Sequence, residues 1–128
     1  MSAIRIYMMT KDGFDLKDVQ DMLSSSVLYS NQKVLSKIVG KSVQTIQRQG
    51  SSKQPTQLTS QQSAVAFQYA KVLEHATTVF GSQKSAEDWL AKPCKFLEGG
   101  VPLDLIENAV GFQAVEDYLE RMELGVYQ

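Results

Sequence analysis

The 128-residue chain contains one cysteine and one histidine, two residue types on which disulfide-linked, metal-bound and many catalytic proteins depend. Its single cysteine, Cys94, excludes an intramolecular disulfide and leaves no cysteine cluster for zinc. No apolar run approaches the roughly 20 residues that a membrane span requires. Residues 4–9 are too short, and too interrupted by Arg5, for a signal peptide. We therefore expect a cytoplasmic protein with no membrane segment, no metal and no cofactor.

Catalytic chemistry also has little support. The single histidine, His75, lies in a predicted long helix, and a lone histidine is more often a surface residue than a general base. No serine stands in a Gly-x-Ser-x-Gly setting, and Gly99-Gly100 is not followed by the Lys-Ser/Thr of a phosphate loop. The acidic residues of the last predicted helix are expected to form a solvated face: Glu116, Asp117, Glu120 and Glu123. We expect no enzyme; the alternative, a small enzyme, predicts that His75→Ala abolishes an activity.

Acidic residues are missing from the whole interval between Asp21 and Glu74, which is 52 residues long. That interval holds six basic residues: Lys33, Lys37, Lys41, Arg48, Lys53 and Lys71. From Glu74 to Gln128 the balance reverses, with ten acidic residues against four basic ones. The basic half suits a nucleic-acid backbone, because each neutralised phosphate releases bound counterions. A solvated surface that lacks acids is the alternative.

Apolar spacing predicts helices in the first half of the chain. Asp15 can cap a first helix, whose inward residues are predicted to be Leu16, Val19, Met22 and Leu23. A second helix is predicted to begin at Ser30 or Asn31 and to end at Gly40, with inward residues Val34, Leu35, Ile38 and Val39. Residues 1–13 form an N-terminal arm to which we assign neither strand nor helix.

The segment after this second helix fits a helix-turn-helix, in which a tight turn near a glycine joins two short helices. The spacing of Leu35, Val39, Gly40 and Ile46 has this pattern. Glutamine and arginine can read base edges, whereas Lys41 and Lys53 are better placed to hold phosphates. The predicted DNA-binding residues are Lys41, Ser42, Gln44, Thr45, Gln47, Arg48 and Lys53. A pair of packed helices without DNA contact is the alternative.

The longest predicted helix follows a polar loop that contains Pro55. Thr59 and Gln62 have the spacing of a capping box at its start. Its apolar stripe consists of Val65, Tyr69, Val72, Leu73, Ala76, Val79 and Phe80. Such a stripe suits a helix that joins the two halves and supports self-association, and core packing alone explains it equally well.

Glycine and proline residues are predicted to mark helix ends in the last fifty residues. Gly81 is predicted to end the long helix, and Ser82 to cap a short helix that Pro93 stops. Pro102 is predicted at or near the first position of the next helical segment. The last helix is predicted to turn one apolar face inward, formed by Phe112, Val115, Leu119 and Met122.

Several short runs in this half occur together and in order: Val79-Phe80-Gly81, Trp89-Leu90, Pro93, Gly100 to Ile106 with its Pro-Leu-Asp-Leu-Ile, and Gly125-Val126-Tyr127. In this order they resemble the toxin-binding domain of the Xre/MbcA/ParS family of bacterial antitoxins. The family usually has an Xre-like helix-turn-helix before this domain, with a G-x-S-x-x-T-h-x-R core in which h is apolar. Gly40 to Arg48 resembles that core.

The resemblance implies an all-α fold in which an N-terminal helix-turn-helix bundle is joined by a long helix to a small C-terminal helical domain. The implied domains are an arm at 1–13, an Xre-like DNA-binding domain at 14–78 and a toxin-binding domain at 79–128. The residues implied to bind the toxin are Trp89, Pro102, Leu103, Gly125, Val126, Tyr127 and Gln128.

The implied function is that of a type II antitoxin. It would bind a RES-domain toxin and sterically block its NAD-consuming site, with the C-terminal residues as the anchor. It would also repress its own operon by binding operator DNA, as a homodimer, because one recognition helix reads only a few base pairs. A stand-alone helix-turn-helix regulator without a toxin partner is the alternative.

Overall fold

The computed structural model of the chain describes residues 16–40 and 58–125. All regular secondary structure within these ranges is helical. The elements are α1 (Leu16–Ser24), α2 (Val27–Asn31), α3 (Val34–Val39), α4 (Ser60–Phe80), α5 (Gln83–Leu90), a 3-10 helix (Lys95–Leu97), α6 (Pro102–Leu105) and α7 (Ala109–Glu123). The prediction of an all-α fold is therefore confirmed for this part of the chain.

Some predicted features lie outside the described residues. They are the arm at 1–13, the cap Asp15, the DNA-binding residues Lys41, Ser42, Gln44, Thr45, Gln47, Arg48 and Lys53, and the tail residues Val126, Tyr127 and Gln128. These assignments stay predictions. Within residues 16–40 and 58–125, no helix combines the length and the apolar character needed to cross a membrane.

Helix α1 buries the residues that its spacing predicts: Leu16, Val19, Met22 and Leu23, each less than a tenth exposed. The next helix, α2, begins at a serine cap. The Ser26 hydroxyl accepts a hydrogen bond from the backbone N–H of Tyr29, at 3.1 Å, and satisfies a donor that the first turn leaves without a helical partner. Tyr29 itself is fully buried.

The predicted second helix is divided in the structure, and its predicted start at Ser30 or Asn31 is wrong, because α2 begins at Val27. Helix α2 ends at Asn31, and Lys33 takes a left-handed conformation with φ of 55° before α3 begins. In one continuous helix Tyr29 and Val34, five residues apart, would point about 140° away from each other. The break allows both side chains to be fully buried. The predicted end at Gly40 is confirmed, since Gly40 has φ of 73°.

The capping box at the start of α4 is confirmed. The backbone N–H of Gln62 donates to the Thr59 hydroxyl at 3.1 Å, and the backbone N–H of Thr59 donates to Gln62 Oε1 at 2.9 Å. Gln62 also donates from Nε2 to the carbonyl of Val39, at 3.0 Å. One glutamine therefore caps α4 and ties its first turn to the end of α3.

The chain divides into two compact units between Phe67 and Gln68, a point that lies within α4. We call the described residues up to Phe67 the first unit and those from Gln68 onward the second unit. The predicted stripe of α4 is buried at Tyr69, Val72, Leu73 and Ala76, and half-buried at Val65, Val79 and Phe80. The predicted domain boundary at 78/79 stays a prediction.

Local signals set the helix ends of the second unit. Gly81, with φ of 90°, follows the last residue of α4, and the Ser82 hydroxyl accepts from the backbone N–H of Ser85 at the start of α5. Pro102 opens α6. These three predictions are confirmed. Asn108 caps α7 by accepting from the backbone N–H groups of Val110 and Gly111, at 2.8 and 3.1 Å.

Helix α7 differs from its predicted pattern at one residue. Val115 and Leu119 are fully buried, as predicted, and Phe112 and Met122 are half-buried. Glu116, however, is only 8% exposed, so its predicted place on a solvated face is wrong. Its burial is explained by a partner on α4, which is described below.

Candidate functional site

Four aromatic side chains of the second unit form a continuous stack, which we call the aromatic ladder. Phe80 at the end of α4 contacts Trp89 of α5 with ring centroids 5.3 Å apart. Trp89 lies nearly parallel to Tyr118 of α7, with centroids 5.4 Å apart and an interplanar angle of 5°. Tyr118 in turn stacks on Phe96, at 5.8 Å. Trp89, a predicted toxin-binding residue, is therefore an inner member of the ladder and is half-buried.

Phe96 is the outer member of the ladder and was not among the predicted site residues. It is 54% exposed, whereas Tyr118 beneath it is 9% exposed. In the sequence, Phe96 is distinguished only as an aromatic residue in the short segment between Pro93 and Gly99. Such a segment does not predict a helical stripe, and the stacking depends on Tyr118, which is 22 positions away.

Hydrogen bonds hold the loop that presents Phe96. The N–H of Cys94 donates to the carbonyl of Gly100 at 2.9 Å, and the N–H groups of Leu97 and Gly99 donate to the carbonyl of Cys94 at 3.0 and 2.9 Å. Glu98 has a left-handed conformation with φ of 56°, which is uncommon outside glycine and asparagine. The loop is therefore a closed turn with Phe96 at its surface.

Two other predicted toxin-binding residues lie inside the second unit. Pro102 is fully buried and Leu103 is 3% exposed, both in the first turn of α6. In this conformation both side chains belong to the buried core of the second unit. Their predicted contact with a toxin stays a prediction.

His75 forms a second cluster with two carboxylates of α7. Its Nδ1 lies 2.7 Å from Glu116 Oε2, and its Nε2 lies 2.9 Å from Glu123 Oε2. The imidazole ring therefore bridges two carboxyl groups, one at each ring nitrogen. We call this cluster the histidine clamp. It joins α4 to the last turns of α7, so His75 is a structural link and not the isolated surface residue that the sequence suggests.

The histidine clamp does not have the geometry of a metal site. Its carboxylates lie at opposite nitrogens of the ring, so the three side chains do not converge on one point. Within residues 16–40 and 58–125, no group of three or more histidine, cysteine or acidic side chains is arranged to hold a metal ion.

Tyr69 is the described residue whose acidity the fold changes most clearly. Burial, reinforced by the negative charges of Glu107 and Asp104, raises the pKa of its hydroxyl well above the ordinary value of about 10. Nearby, Gln68 donates from Nε2 to the carbonyl of Ile106 at 2.8 Å. This hydrogen bond joins α4 to the segment between α6 and α7.

The raised pKa of Tyr69 predicts a loss of stability in alkali. Below about pH 10 the hydroxyl is neutral in both states, whereas above it the unfolded chain ionises and the folded chain does not. The free energy of unfolding should therefore fall as the pH rises through that range, by up to about 1.4 kcal/mol per pH unit for this one group. Tyr69→Phe should remove this contribution.

Urea unfolding of the wild type and of Tyr69→Phe, from pH 8 to pH 11, measures the effect. The difference in unfolding free energy between the two proteins should be constant up to about pH 9.5 and should then shift in favour of the variant. A constant difference through pH 11 would contradict the assignment.

Backbone hydrogen bonds close the end of α7. The N–H of Leu124 donates to the carbonyl of Glu120 at 3.0 Å, and Gly125, with φ of 78°, donates to the carbonyl of Met122 at 3.1 Å. This left-handed glycine ends the helix without the strain that a side chain would bring. Gly125, a predicted toxin-binding residue, therefore lies directly after the end of α7, and its predicted contact with a toxin stays a prediction.

The second unit has an excess of acidic residues. Residues 68–125 contain ten acidic and five basic residues. Most of the acidic side chains are exposed: Asp88, Glu98, Asp104, Glu107, Asp117, Glu120 and Glu123. The surface around the aromatic ladder therefore belongs to an acidic unit.

Comparison with known proteins supports the resemblance noted from the sequence. No match to the chain is found among curated proteins. Residues 75–125, however, match the family model described as the antitoxin Xre/MbcA/ParS C-terminal toxin-binding domain. The match contains the whole aromatic ladder and the histidine clamp. Residues 75–125 of this chain are therefore similar to the toxin-binding domains of that family.

Proposed function

We propose that this chain is the antitoxin of a type II toxin–antitoxin system whose toxin is a RES-domain protein that consumes NAD. The observation that carries the proposal is the match of residues 75–125 to an antitoxin toxin-binding domain. The chain acts in the cytoplasm by occupying the entrance of the toxin's substrate site, and it supplies no chemistry of its own. The short runs between Val79 and Tyr127 that resemble the family support the same assignment.

Inhibition on this proposal depends on the residues after α7. Gly125 turns the chain out of the helix, and Tyr127 packs against the toxin with Val126 beside it and Gln128 at the edge of the contact. Trp89 contributes through the ladder, while Pro102 and Leu103 act from the core of the domain. The toxin is blocked because its substrate can no longer enter.

The basic half of the chain is proposed to bind operator DNA as a homodimer and so to repress the chain's own operon. Fifty-two consecutive residues without an acid support a surface that faces a polyanion. The proposed contacts are Lys41, Ser42, Gln44, Thr45, Gln47, Arg48 and Lys53. In the described part of this half, Lys33 and Lys37 are exposed.

Co-expression tests the proposal. This chain and the protein encoded by the adjacent reading frame are produced together and purified through a tag on one of them, and cellular NAD is measured when this chain is withheld. Co-purification with a fall in NAD is expected. Co-purification without NAD loss would reject the RES assignment and keep the antitoxin, whereas no complex would favour the stand-alone regulator.

Removal of residues 125–128 should separate the two activities. Loss of an aromatic anchor at an interface costs about 2 kcal/mol or more, so toxin inhibition should weaken roughly thirtyfold. Operator affinity, measured by gel shift, should be unchanged and serves as the control. Full toxin inhibition by the truncated protein would rule out the tail as the blocking element.

A further inference from the structure

We infer that Phe96, at the outer end of the aromatic ladder, anchors the second unit to its protein partner, and that the partner offers an apolar pocket bordered by basic side chains. The inference rests on the proposed function, because the partner is the proposed toxin. Phe96 is then a second point of attachment to the toxin, on the folded surface of the domain, in addition to the proposed contacts of residues 125–128.

The first support is the exposure of Phe96 together with its rigid setting. More than half of its surface is open, although it stacks on the buried ring of Tyr118. The closed turn from Cys94 to Gly100 holds its backbone by four hydrogen bonds of 2.9–3.0 Å. A side chain that is already held in place loses little conformational entropy on binding, which favours affinity.

The second support is the ladder behind Phe96. Tyr118 and Trp89 lie almost parallel, and Trp89 continues to Phe80, so an inserted Phe96 is backed by three further rings from α4, α5 and α7. Interface residues that dominate binding are commonly aromatic and lie in well-packed surroundings that exclude water. Phe96 is aromatic and stacks on packed rings, whereas Val110, exposed at the start of α7, is an aliphatic residue outside the ladder.

The negative charge of the second unit indicates which kind of partner binds beside Phe96. The second unit carries twice as many acidic as basic residues, and Glu98 lies exposed two positions from Phe96. Nucleic acids and anionic membranes are repelled by such a surface, and so is the same unit of a second copy of this chain. A protein whose pocket is bordered by lysine or arginine is attracted instead.

Binding of the purified adjacent-frame protein to three forms of this chain tests the inference: wild type, Phe96→Ala, and Val110→Ala as the matched control. Val110 is 80% exposed in the same unit, so both variants remove an exposed apolar side chain. Calorimetry at 0.1 and 0.5 M NaCl gives the affinities, and circular dichroism confirms that the variants are folded.

Phe96→Ala should weaken binding about thirtyfold or more, and Val110→Ala less than about threefold. Wild-type affinity should fall at the higher salt, because opposite charges meet at the rim. Tight binding by wild type and equal affinity of Phe96→Ala would overturn the inference and leave the proposed function intact. Absence of wild-type binding would reject the proposed function and this partner with it. Self-association of wild type in sedimentation that Phe96→Ala abolishes would reassign the surface to a second copy.

Discussion

Replacing His75 with alanine is expected to lower the free energy of unfolding by about 2–4 kcal/mol. Glu116 is 8% exposed, and His75 is the hydrogen-bonding partner of its Oε2 atom. Its other oxygen is buried without a hydrogen bond among the described residues. Without the imidazole a buried carboxyl group therefore loses its hydrogen-bonding partner, which costs far more than the loss of an exposed ion pair.

The histidine clamp contains its own matched control. Glu123 bonds to the same ring at a similar distance, but its side chain is 50% exposed against 10% for Glu116. Glu123→Ala should therefore cost less than about 1 kcal/mol. The double variant His75→Ala/Glu116→Ala should be no less stable than His75→Ala alone, because the buried polar group that lacks a partner is gone.

Urea denaturation of these variants, with a double-mutant cycle for His75 and Glu116, measures the coupling. A His75→Ala protein within about 0.5 kcal/mol of wild type would show that the clamp contributes no stability. Equal costs for Glu123→Ala and His75→Ala would show that the burial of Glu116 is not the cause.

Gly111→Ala is the second substitution with a large expected effect, a net loss of about 2 kcal/mol or more. A Cβ atom at Gly111 would lie 2.3 Å from the carbonyl oxygen of Leu105 and 3.0 Å from its carbonyl carbon. Both atoms belong to the backbone, so they cannot rotate away as a side chain could. Alanine is the better helix former by about 1 kcal/mol, but the clash outweighs this gain.

Relief of that clash requires the first turn of α7 to move away from the end of α6. Because α7 carries Tyr118, the aromatic ladder should be disturbed, and the fluorescence of Trp89 reports this directly. Val110→Ala, at the neighbouring and 80% exposed position, should change stability by less than about 0.5 kcal/mol. A Gly111→Ala protein as stable as wild type, with unchanged fluorescence, would contradict the close approach of α6 and α7.

Sequence alone predicted several helix ends correctly. The Thr59–Gln62 capping box, the cap at Ser82, the stop at Gly81 and the start at Pro102 are all found in the structure. Each depends on atoms within about three residues of one another, so residue type and spacing determine it without knowledge of the rest of the fold. The family resemblance was visible in the same way, as short runs in a fixed order from Val79 to Tyr127, and residues 75–125 match the model of the toxin-binding domain.

Contacts between distant residues were decided only by the tertiary structure. Glu116 was expected in solvent because charged residues usually are, yet a histidine 41 positions earlier makes its burial possible. Phe96 became a candidate anchor because folding brings Tyr118 beneath it. The periodicity of one helix tells which side chains turn inward, but which partner they meet depends on how that helix packs against its neighbours.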